Sequence, residues 1–432
     1  MRVTMAALLA LALGAVAPMV RAQAPNKPLD VYVIDTEGGK SALYVTPTGQ
    51  SLLLDAGNPG GRDTDRIMEA IHAAGVTQLD YLLLTHYHVD HVGGVEALAQ
   101  RIPIKNFVDH GPTVEPREQV QGFQQLWASL YAKGHHIVVK PGDRLPITGV
   151  DWRIVTSAGQ VIKTALPGGG QPNPECASFT PKDITNDPEN AQSVGSVVML
   201  GNFKLIDLGD LLWNKEQELM CPNNPIGTVD IYMVSHHGLD WSGSPTLVHA
   251  LRPRVAIMNN GTRKGGSGTT FPTLESSPGL ENLWLSHWSY TGGIEHNPAG
   301  VFIANVDDNQ TIANILTAPP RGRGGFGGRR AGGPAMAPGG GAPAGAPPAG
   351  GPAAGAPAQG APGAPGAGPA MGRGQGGPGG PGGGRRGGGF GGASTGHSPA
   401  YWIKVSAYPD GHFTVTNPRI DFTKTYEART AR

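Results

Sequence analysis

The strongest constraint on this chain is a run of three histidines and one aspartate within six residues, at His86, His88, Asp90 and His91. Residues 79–84, just before the run, are mostly apolar and predict a buried strand, so the run is expected on the loop that follows it. Imidazole and carboxylate groups at this spacing suit two divalent cations, with His86 and His88 on one and Asp90 and His91 on the other. The alternative is a polar loop that happens to be rich in histidine, in a chain with 14 histidines overall.

Three further candidate site residues follow predicted strands later in the chain. A carboxylate at Asp210 could bridge two cations because it offers two oxygens, although Gly209-Asp210 could also be an ordinary turn. His236 and His237 are adjacent, and adjacent side chains diverge, so we predict that one ligates a metal and the other touches substrate or donates a proton. We assign His236 as the ligand and His237 as the proton donor, and the reverse assignment is the alternative. Exposed turn histidines are the alternative for this pair.

The strand and helix patterns favour two packed sheets with helices outside. Short apolar segments come first, strands and helices alternate afterwards, and the pattern is repeated in two halves. Strands are predicted at residues 30–35, 42–46, 51–55, 79–84, 106–109, 136–139, 152–156, 196–200, 203–208, 230–234, 255–258 and 301–305, and helices at 62–74, 93–100, 122–132 and 246–251. A long polar loop is predicted over 159–190.

Residues 1–24 have the features of a signal peptide: Arg2, an apolar run over 5–20, and small residues at Ala22 and Ala24. We predict cleavage after Ala24 and export to the periplasm or the medium. A membrane anchor is the alternative, but the run is short for a span of roughly 20 apolar residues and contains Pro18. No stable membrane span is therefore expected after cleavage.

Composition divides the remainder into a globular domain at 25–318, a low-complexity insert at 319–396 and a C-terminal segment at 397–432 that completes the domain with a hairpin. The insert holds most of the excess among the 67 glycines and 39 prolines. Such a Gly/Pro/Ala/Arg-rich segment buries too little apolar surface to order itself, so it is predicted to be disordered. Its Arg-Gly clusters are typical of segments that bind nucleic acid, and a spacer without a partner is the alternative.

The only two cysteines are Cys176 and Cys221, both in loop-like sequence. In an oxidising compartment they could form a disulfide between the two loops. A thiolate metal site would need further soft ligands nearby in sequence, and neither cysteine has any.

The pattern His86-x-His88-x-Asp90-His91-x-Gly93-Gly94, preceded by Leu-Leu-Asp-Ala-Gly at 53–57, resembles the metallo-β-lactamase superfamily. The resemblance implies an αββα sandwich with a metal site at one edge. The segments that lead to Asp210 and to His236-His237-Gly238 are most similar to the ComEC-type hydrolase domain of competence proteins. Asp55, in the first of these motifs, is expected to hydrogen-bond to the metal loop.

One departure from the superfamily pattern concerns the first metal. Many members supply a third histidine shortly before the bridging aspartate, whereas this chain has none between His136 and Asp210. Water, substrate or His110 could complete that position, and a loop-capping role is the alternative for His110. His296, in a late stretch rich in aromatics and histidine, could line the substrate pocket or simply pack.

These observations predict a metallo-hydrolase that uses a metal-activated hydroxide, with two divalent cations, zinc or alternatively manganese. Asp90 and His237 are the predicted catalytic residues, and His86, His88, Asp90, His91, Asp210 and His236 the predicted ligands. The resemblance implies a phosphoester substrate, small or nucleotide-type, with a phosphodiesterase-like or nuclease-like reaction; nucleic acid stays open as a partner. The alternatives are hydrolysis of a lactone or other carbonyl ester, and a non-catalytic binding protein.

Overall fold

A computed structural model of the chain describes residues 27–184, 187–306 and 400–429. The predicted signal peptide at 1–24 and the predicted insert at 319–396 lie outside the described residues. Within the described ranges, no helix has the length and apolar character needed to cross a membrane.

The described residues form twenty strands and seven α-helices, which are numbered here in chain order. The strands are β1 (Leu29–Val33), β2 (Ala42–Val45), β3 (Ser51–Leu54), β4 (Leu79–Leu83), β5 (Ile104–Asp109), β6 (His135–Val138), β7 (Arg144–Leu145), β8 (Asp151–Ser157), β9 (Gln160–Val161), β10 (Gln171–Pro172), β11 (Gly195–Leu200), β12 (Phe203–Asp207), β13 (Asn223–Asn224), β14 (Ile231–Met233), β15 (Val255–Met258), β16 (Asn282–His287), β17 (Ile303–Asn305), β18 (Ile403–Ala407), β19 (Phe413–Asn417) and β20 (Phe422–Tyr426). The helices are α1 (Arg62–Ala73), α2 (Val89–Val92), α3 (Val95–Ala99), α4 (Glu118–Tyr131), α5 (Trp213–Met220), α6 (Pro245–Leu251) and α7 (Thr270–Glu275).

Most strands belong to two mixed sheets. The first sheet has the order β20-β19-β18-β1-β2-β3-β4-β5-β6, and its strands from β3 to β6 run parallel. The second has the order β17-β16-β15-β14-β12-β11-β8-β7, and its strands from β12 to β17 run parallel. Strand β18 pairs with β1, with Ala407 opposite Leu29, so the C-terminal hairpin extends the first sheet.

Apolar side chains from the facing sides of both sheets form the central core. Trp152 on β8 meets Tyr44 on β2 edge to face, with ring centroids 4.9 Å apart, and the Trp152 indole N–H donates to Ser196 Oγ. Two further cores fill the outer faces: α1, α3 and α4 contribute to the one on the first sheet, and α5, α6 and α7 to the one on the second. These layers form the predicted αββα sandwich, which is therefore confirmed.

The amphipathic pattern of α1 explains how a helix covers the first sheet. Its buried apolar residues Ile67, Ala70 and Ile71 recur at spacings of three and four, which places them on one face of a helix. The strands beneath are apolar on both faces, as in β4, because they are covered by the helices on one side and by the second sheet on the other.

A disulfide joins Cys176 to Cys221, as the sequence predicted. Cys176 lies in the single-turn 3-10 helix Pro174–Ser178, and Cys221 follows α5 directly. The bond therefore ties the loop before Asn190 to the helical layer on the second sheet.

Candidate metal centre

The candidate site lies where parallel strands of both sheets end. The carboxyl ends of β4 and β12 are followed by the histidine run and by Gly209-Asp210, and β14 is followed by His236 and His237. We call His86, His88, Asp90 and His91 the motif half, and Asp210, His236 and His237 the Asp210 half. Each half comes from a different sheet, so the site depends on how the two sheets pack.

The motif half begins at the end of β4 and continues into α2. Nε2 of His86 lies 3.0 Å from Nδ1 of His88, with both side chains buried. Helix α2 then carries Asp90 and His91, and Nε2 of His91 lies 3.6 Å from Oδ2 of Asp90. The four side chains predicted from the sequence thus converge within one short segment.

The Asp210 carboxylate lies at the centre of the site. Its Oδ2 is 3.2 Å from Nε2 of His91, 3.4 Å from Nε2 of His237, 3.6 Å from Nε2 of His236 and 4.0 Å from Nε2 of His86. One oxygen therefore faces imidazoles from both halves of the site, as a bridging carboxylate would.

Backbone conformation brings both adjacent histidines to this carboxylate. His236 and His237 have φ angles of 53° and 55°, a left-handed conformation that costs roughly 1–2 kcal/mol per residue outside glycine. Gly238 follows with φ 79°. In an extended strand the two imidazoles would point to opposite sides, whereas here His237, the predicted proton donor, also joins the cluster of possible ligand atoms.

The outward-facing ring nitrogens have oxygen partners that fix the tautomers. Nδ1 of His91 lies 2.7 Å from Oδ2 of the fully buried Asp55, and Nδ1 of His86 lies 3.1 Å from Oγ1 of Thr85. Thr85 donates its own hydroxyl hydrogen to Asp55, so it accepts the N–H of His86. In the neutral form of each ring, the site-facing Nε2 then has a free lone pair, as a metal ligand requires.

The rings of His88 and His236 follow the same logic. Nε2 of His88 lies 3.1 Å from Glu115 and 3.2 Å from Asp187, so its Nδ1 is the nitrogen that faces His86. Nδ1 of His236 lies 3.3 Å from the Ser242 hydroxyl, which itself donates to a backbone carbonyl, so Nε2 of His236 faces Asp210 as a free acceptor.

Buried atoms without partners support a metal in this site. Asp210 is 2% exposed, yet its Oδ1 has no hydrogen-bond partner among the described residues. Nδ1 of His237 and Oδ1 of Asn190 are also buried, and neither has a hydrogen-bond partner among the described residues. One ligand atom each from Asp90, His91, Asp210 and His237 lies within 4.8 Å of the others, a compact nitrogen and oxygen set that suits a divalent cation.

The electrostatics of the site favour positive charge. Burial raises the pKa of Asp90, but Lys264, His91 and His237 outweigh it and hold that pKa well below its usual range. Burial also raises the pKa of Asp210, but nearby imidazoles outweigh it and hold that pKa well below its usual range. Both carboxylates are therefore ionised at neutral pH. Burial lowers the pKa of His236 to about 4, so its imidazole is neutral and can act as a ligand.

Two cationic side chains flank the cluster. Nζ of Lys264 contacts Oδ2 of Asp90, and its side chain is 42% exposed. Arg117 contacts Glu115 and lies 3.5 Å from Nε2 of His88, with 31% of its side chain exposed. Both cations therefore lie at the edge of the cluster, each with part of its side chain in solvent.

Four further residues near the site have no local sequence signal as site components. Glu115, Asp187 and Lys264 lie in loops and come near the site only through the fold. Glu189, also missed, is fully buried and accepts from His110 Nε2 at 2.9 Å, from Thr113 and from the backbone of Tyr87 and Val114. His110 therefore braces the loop after β5 against the segment that leads to Asn190.

Two positions remain: Asn190, which lies beside His236, and the predicted pocket residue His296. Nδ2 of Asn190 lies 3.5 Å from Nε2 of His236, so an amide stands near the place where the superfamily pattern expects a third histidine. The His296 ring stacks on Phe271 with centroids 5.8 Å apart, which is a packing contact.

Replacing Asp55 with asparagine is expected to weaken metal binding about 10–100-fold, because the charge that orients His91 and increases its basicity is lost. Asparagine tolerates the positive φ of 58° at this position, so the backbone need not change. Competition with a chromogenic chelator measures the affinity. Asp80→Asn, at the other end of β4, is the control; equal affinities of the two variants would contradict the role of Asp55.

Comparison with known proteins places this geometry in a family. Residues 35–168 match the model described as the metallo-beta-lactamase superfamily. Competence protein ComA of Neisseria gonorrhoeae is 24% identical over 237 residues, or 55% of this chain and 28% of that protein. ComE operon protein 3 of Bacillus subtilis (strain 168) is 27% identical over 252 residues, or 54% of this chain and 28% of that protein.

Two further similarities are more limited. A hydroxyacylglutathione hydrolase of Klebsiella pneumoniae is 36% identical over 85 residues, which cover 20% of this chain and 27% of that enzyme. A solved metallo-beta-lactamase structure from Cronobacter sakazakii aligns with 47% of this chain and 76% of its own, at 16% identity and a TM-score of 0.30. The chain spans less than a third of the length of the curated relatives it matches. The family-model match thus identifies residues 35–168 of this chain as a metallo-beta-lactamase superfamily region.

Proposed function

We propose that this chain is an exported metal-dependent hydrolase, and that its substrate is a phosphoester. The observation that carries the proposal is the single Asp210 oxygen facing imidazoles from both halves of the site. A donor set of this kind suits two divalent cations, of which zinc is the first candidate and manganese the second.

The proposed ligands divide between two positions. His86 Nε2, His88 Nδ1 and His236 Nε2 would hold one cation, and Asp90, His91 and His237 would hold the other, with Asp210 available to both. His236 then supplies the nitrogen that the missing third histidine would provide. Cations bound there supply Lewis acidity, which lowers the pKa of water toward about 7 and stabilises negative charge on a substrate oxygen.

The chain's own side chains orient the reacting groups. Asp55 and Glu115 hold the His91 and His88 rings by their outer nitrogens, and Ser242 does so for His236. With Asp90 ionised, its carboxylate can accept a hydrogen bond from an attacking water and orient it. His237 was predicted as the proton donor to the leaving group; its position beside Asp90 and Asp210 favours a ligand role instead.

The flanking cations support an anionic substrate. Lys264 and Arg117 lie at two edges of the site, each with part of its side chain in solvent. A phosphodiester carries a charge that such cations attract, whereas a neutral lactone does not. Nucleic acid and small nucleotide-type diesters share this chemistry. The named activity of the Klebsiella relative keeps a carbonyl ester as the second candidate.

The disulfide supports export. Disulfides persist in oxidising compartments such as the bacterial periplasm and are rare in the cytosol, so the Cys176–Cys221 bond agrees with the signal-peptide pattern of residues 1–24. N-terminal sequencing of the protein from a periplasmic fraction tests this, and a mature chain beginning at Pro25 is expected.

Replacing Lys264 with methionine is expected to raise the KM for an anionic phosphodiester about tenfold, because one charge-assisted contact to the substrate is lost. The KM for a neutral phosphotriester should not rise in the same way. Steady-state kinetics with both substrates measures this. The neighbouring exposed cation Arg263, replaced by methionine, is the control; similar KM values for wild type and Lys264→Met would contradict the assignment.

A substrate panel tests the proposed function. Bis(p-nitrophenyl) phosphate, a phosphomonoester, p-nitrophenyl phosphorylcholine, a lactone and a cephalosporin are assayed with and without EDTA. The phosphodiester is expected to be cleaved fastest and to lose its turnover with chelator. Faster, chelator-sensitive cleavage of the lactone would transfer the assignment to carbonyl chemistry. Bound metal without turnover of any substrate would favour a binding protein.

A further inference from the structure

Lys40 is a fully buried lysine in the turn between β1 and β2. It is 1% exposed, and its Nζ lies 2.6 Å from Oδ1 of Asp207, which is equally buried. Lys40 precedes a strand of the first sheet, whereas Asp207 ends β12 in the second, so the ion pair crosses between the sheets. Neither Lys40 nor Asp207 belongs to a motif that indicates a role.

Lys40 contacts the motif half of the metal centre directly and is connected to the Asp210 half through Asp207. Its backbone N–H donates to the carbonyl oxygen of Asp90 at 3.1 Å, on the motif half. Through Nζ it binds Asp207, whose same oxygen accepts the backbone N–H of Gly209 at 3.0 Å, one residue before Asp210. One residue therefore connects the backbone of a ligand in one sheet to the turn that carries the shared carboxylate in the other.

The turn that carries Lys40 is packed without spare room. A Cβ on Gly39 would lie 2.6 Å from the carbonyl oxygen of Asp90, and a Cβ on Gly38, at φ 88°, would lie 2.7 Å from Cβ of Lys264. The backbone of this turn thus lies directly against the motif half and against the loop that carries Lys264. Movement of Lys40 would be transmitted to the site rather than absorbed by the loop.

Net stability is a weak explanation for the pair. Desolvation of two buried charges offsets most of their attraction, and replacing both partners with uncharged residues of similar volume is often neutral. A lone unpaired charge, in contrast, strongly destabilises. The pair therefore offers a geometric constraint more than a gain in folding free energy.

We propose that Lys40 is a positioning residue that sets the distance between the motif half and Asp210, and thereby the affinity of the centre for divalent metal. The inference rests on the metal centre of the proposed function. Loss of the constraint allows Asp210 to move relative to His91, so the shared ligand no longer matches both positions. Changes to partners that orient ligands typically weaken metal binding 10–100-fold.

Two variants separate positioning from stability. Lys40→Met keeps the apolar stem but leaves Asp207 unpaired, so its denaturation midpoint falls. The double variant Lys40→Met/Asp207→Asn has no unpaired charge, and the asparagine oxygen can still accept the N–H of Gly209, so the midpoint recovers. Isothermal titration of the metal-free chains with Zn²⁺ gives the affinity, and urea denaturation gives the midpoint.

The proposal expects the double variant to recover stability while binding Zn²⁺ 10–100-fold more weakly than wild type. Wild-type Zn²⁺ affinity in the stable double variant would overturn it. The control is Lys404→Met/Asp30→Asn, which removes a pair at 3.1 Å between β18 and β1, and its affinity is expected to be unchanged. If the wild-type chain binds neither Zn²⁺ nor Mn²⁺, the proposed metal centre itself is wrong. Failure of the metal centre is thereby distinguished from failure of the positioning role of Lys40.

Discussion

Replacement of Asp210 with asparagine is expected to lower the hydrolytic kcat/KM by at least about 10³-fold. The Asp210 carboxylate faces imidazoles from both halves of the site. Loss of its charge removes a ligand common to both halves and the electrostatic attraction that keeps His91 and His237 close. Metal electrophilic stabilisation is worth several kcal/mol, and each 1.36 kcal/mol is a factor of ten in rate. Steady-state kinetics and metal content of the purified variant are measured together.

The matched control for this prediction is Asp240→Asn. Asp240 lies three residues after His237 and its substitution makes the same change in charge. Circular dichroism of both variants separates loss of ligand from loss of fold. A folded Asp210→Asn variant that retains wild-type activity and metal content would contradict the bridging role.

Removal of the disulfide by Cys176→Ser/Cys221→Ser is expected to lower the free energy of unfolding by about 4 kcal/mol. The bond closes a loop with a sequence separation of 45 residues, and the chain-entropy estimate for a loop of that length gives this magnitude. The loop includes Asn190 and the Asp210 turn, so metal affinity is expected to fall as well. Urea denaturation of wild type and variant measures the difference.

Reducing agent provides the control for the disulfide prediction. Dithiothreitol is expected to shift the wild-type denaturation curve to that of the double serine variant and to leave the variant unchanged. Equal unfolding free energies for oxidised wild type and variant, within 1 kcal/mol, would mean that the bond contributes nothing to this fold.

Local pattern was sufficient to predict much of this fold. The strand before His86, the hairpin of β11 and β12 and the amphipathic helix α1 each have a clear period and clear turn residues, and the structure contains all three. Dense motifs such as the histidine run are likewise visible without knowledge of the tertiary structure. The superfamily resemblance then supplied the sandwich, which periodicity alone leaves undetermined.

Helix α5 was missed because its buried face is partly polar. Glu216 is fully buried there and accepts the backbone N–H groups of Gly243 and Ser244, each at 2.7 Å. Burial raises its pKa to about 7. An acidic residue on the buried face interrupts the apolar periodicity by which an amphipathic helix is recognised. Strands β16 and β20 also went unpredicted, although both carry strand-like patterns.

The convergence of His236 and His237 could not be predicted from local rules. Non-glycine residues rarely adopt positive φ, and two in succession are rarer, so divergence was the reasonable expectation. The fold imposes the conformation through the contacts around it: the His236 N–H donates to the Gly209 carbonyl, and the His237 carbonyl accepts from Gly266. The positions of Glu115, Asp187 and Lys40 could not be predicted from local rules either, because only tertiary packing brings these residues to the site.

The central claim is a metal centre shared between the two sheets, and metal content tests it most directly. The wild-type chain and Asp210→Asn are purified from cells grown with trace metals, dialysed and analysed by inductively coupled plasma mass spectrometry. The account predicts about two divalent ions per wild-type chain and fewer than one in the variant. A wild-type chain that carries no metal and takes up neither zinc nor manganese on titration would contradict it.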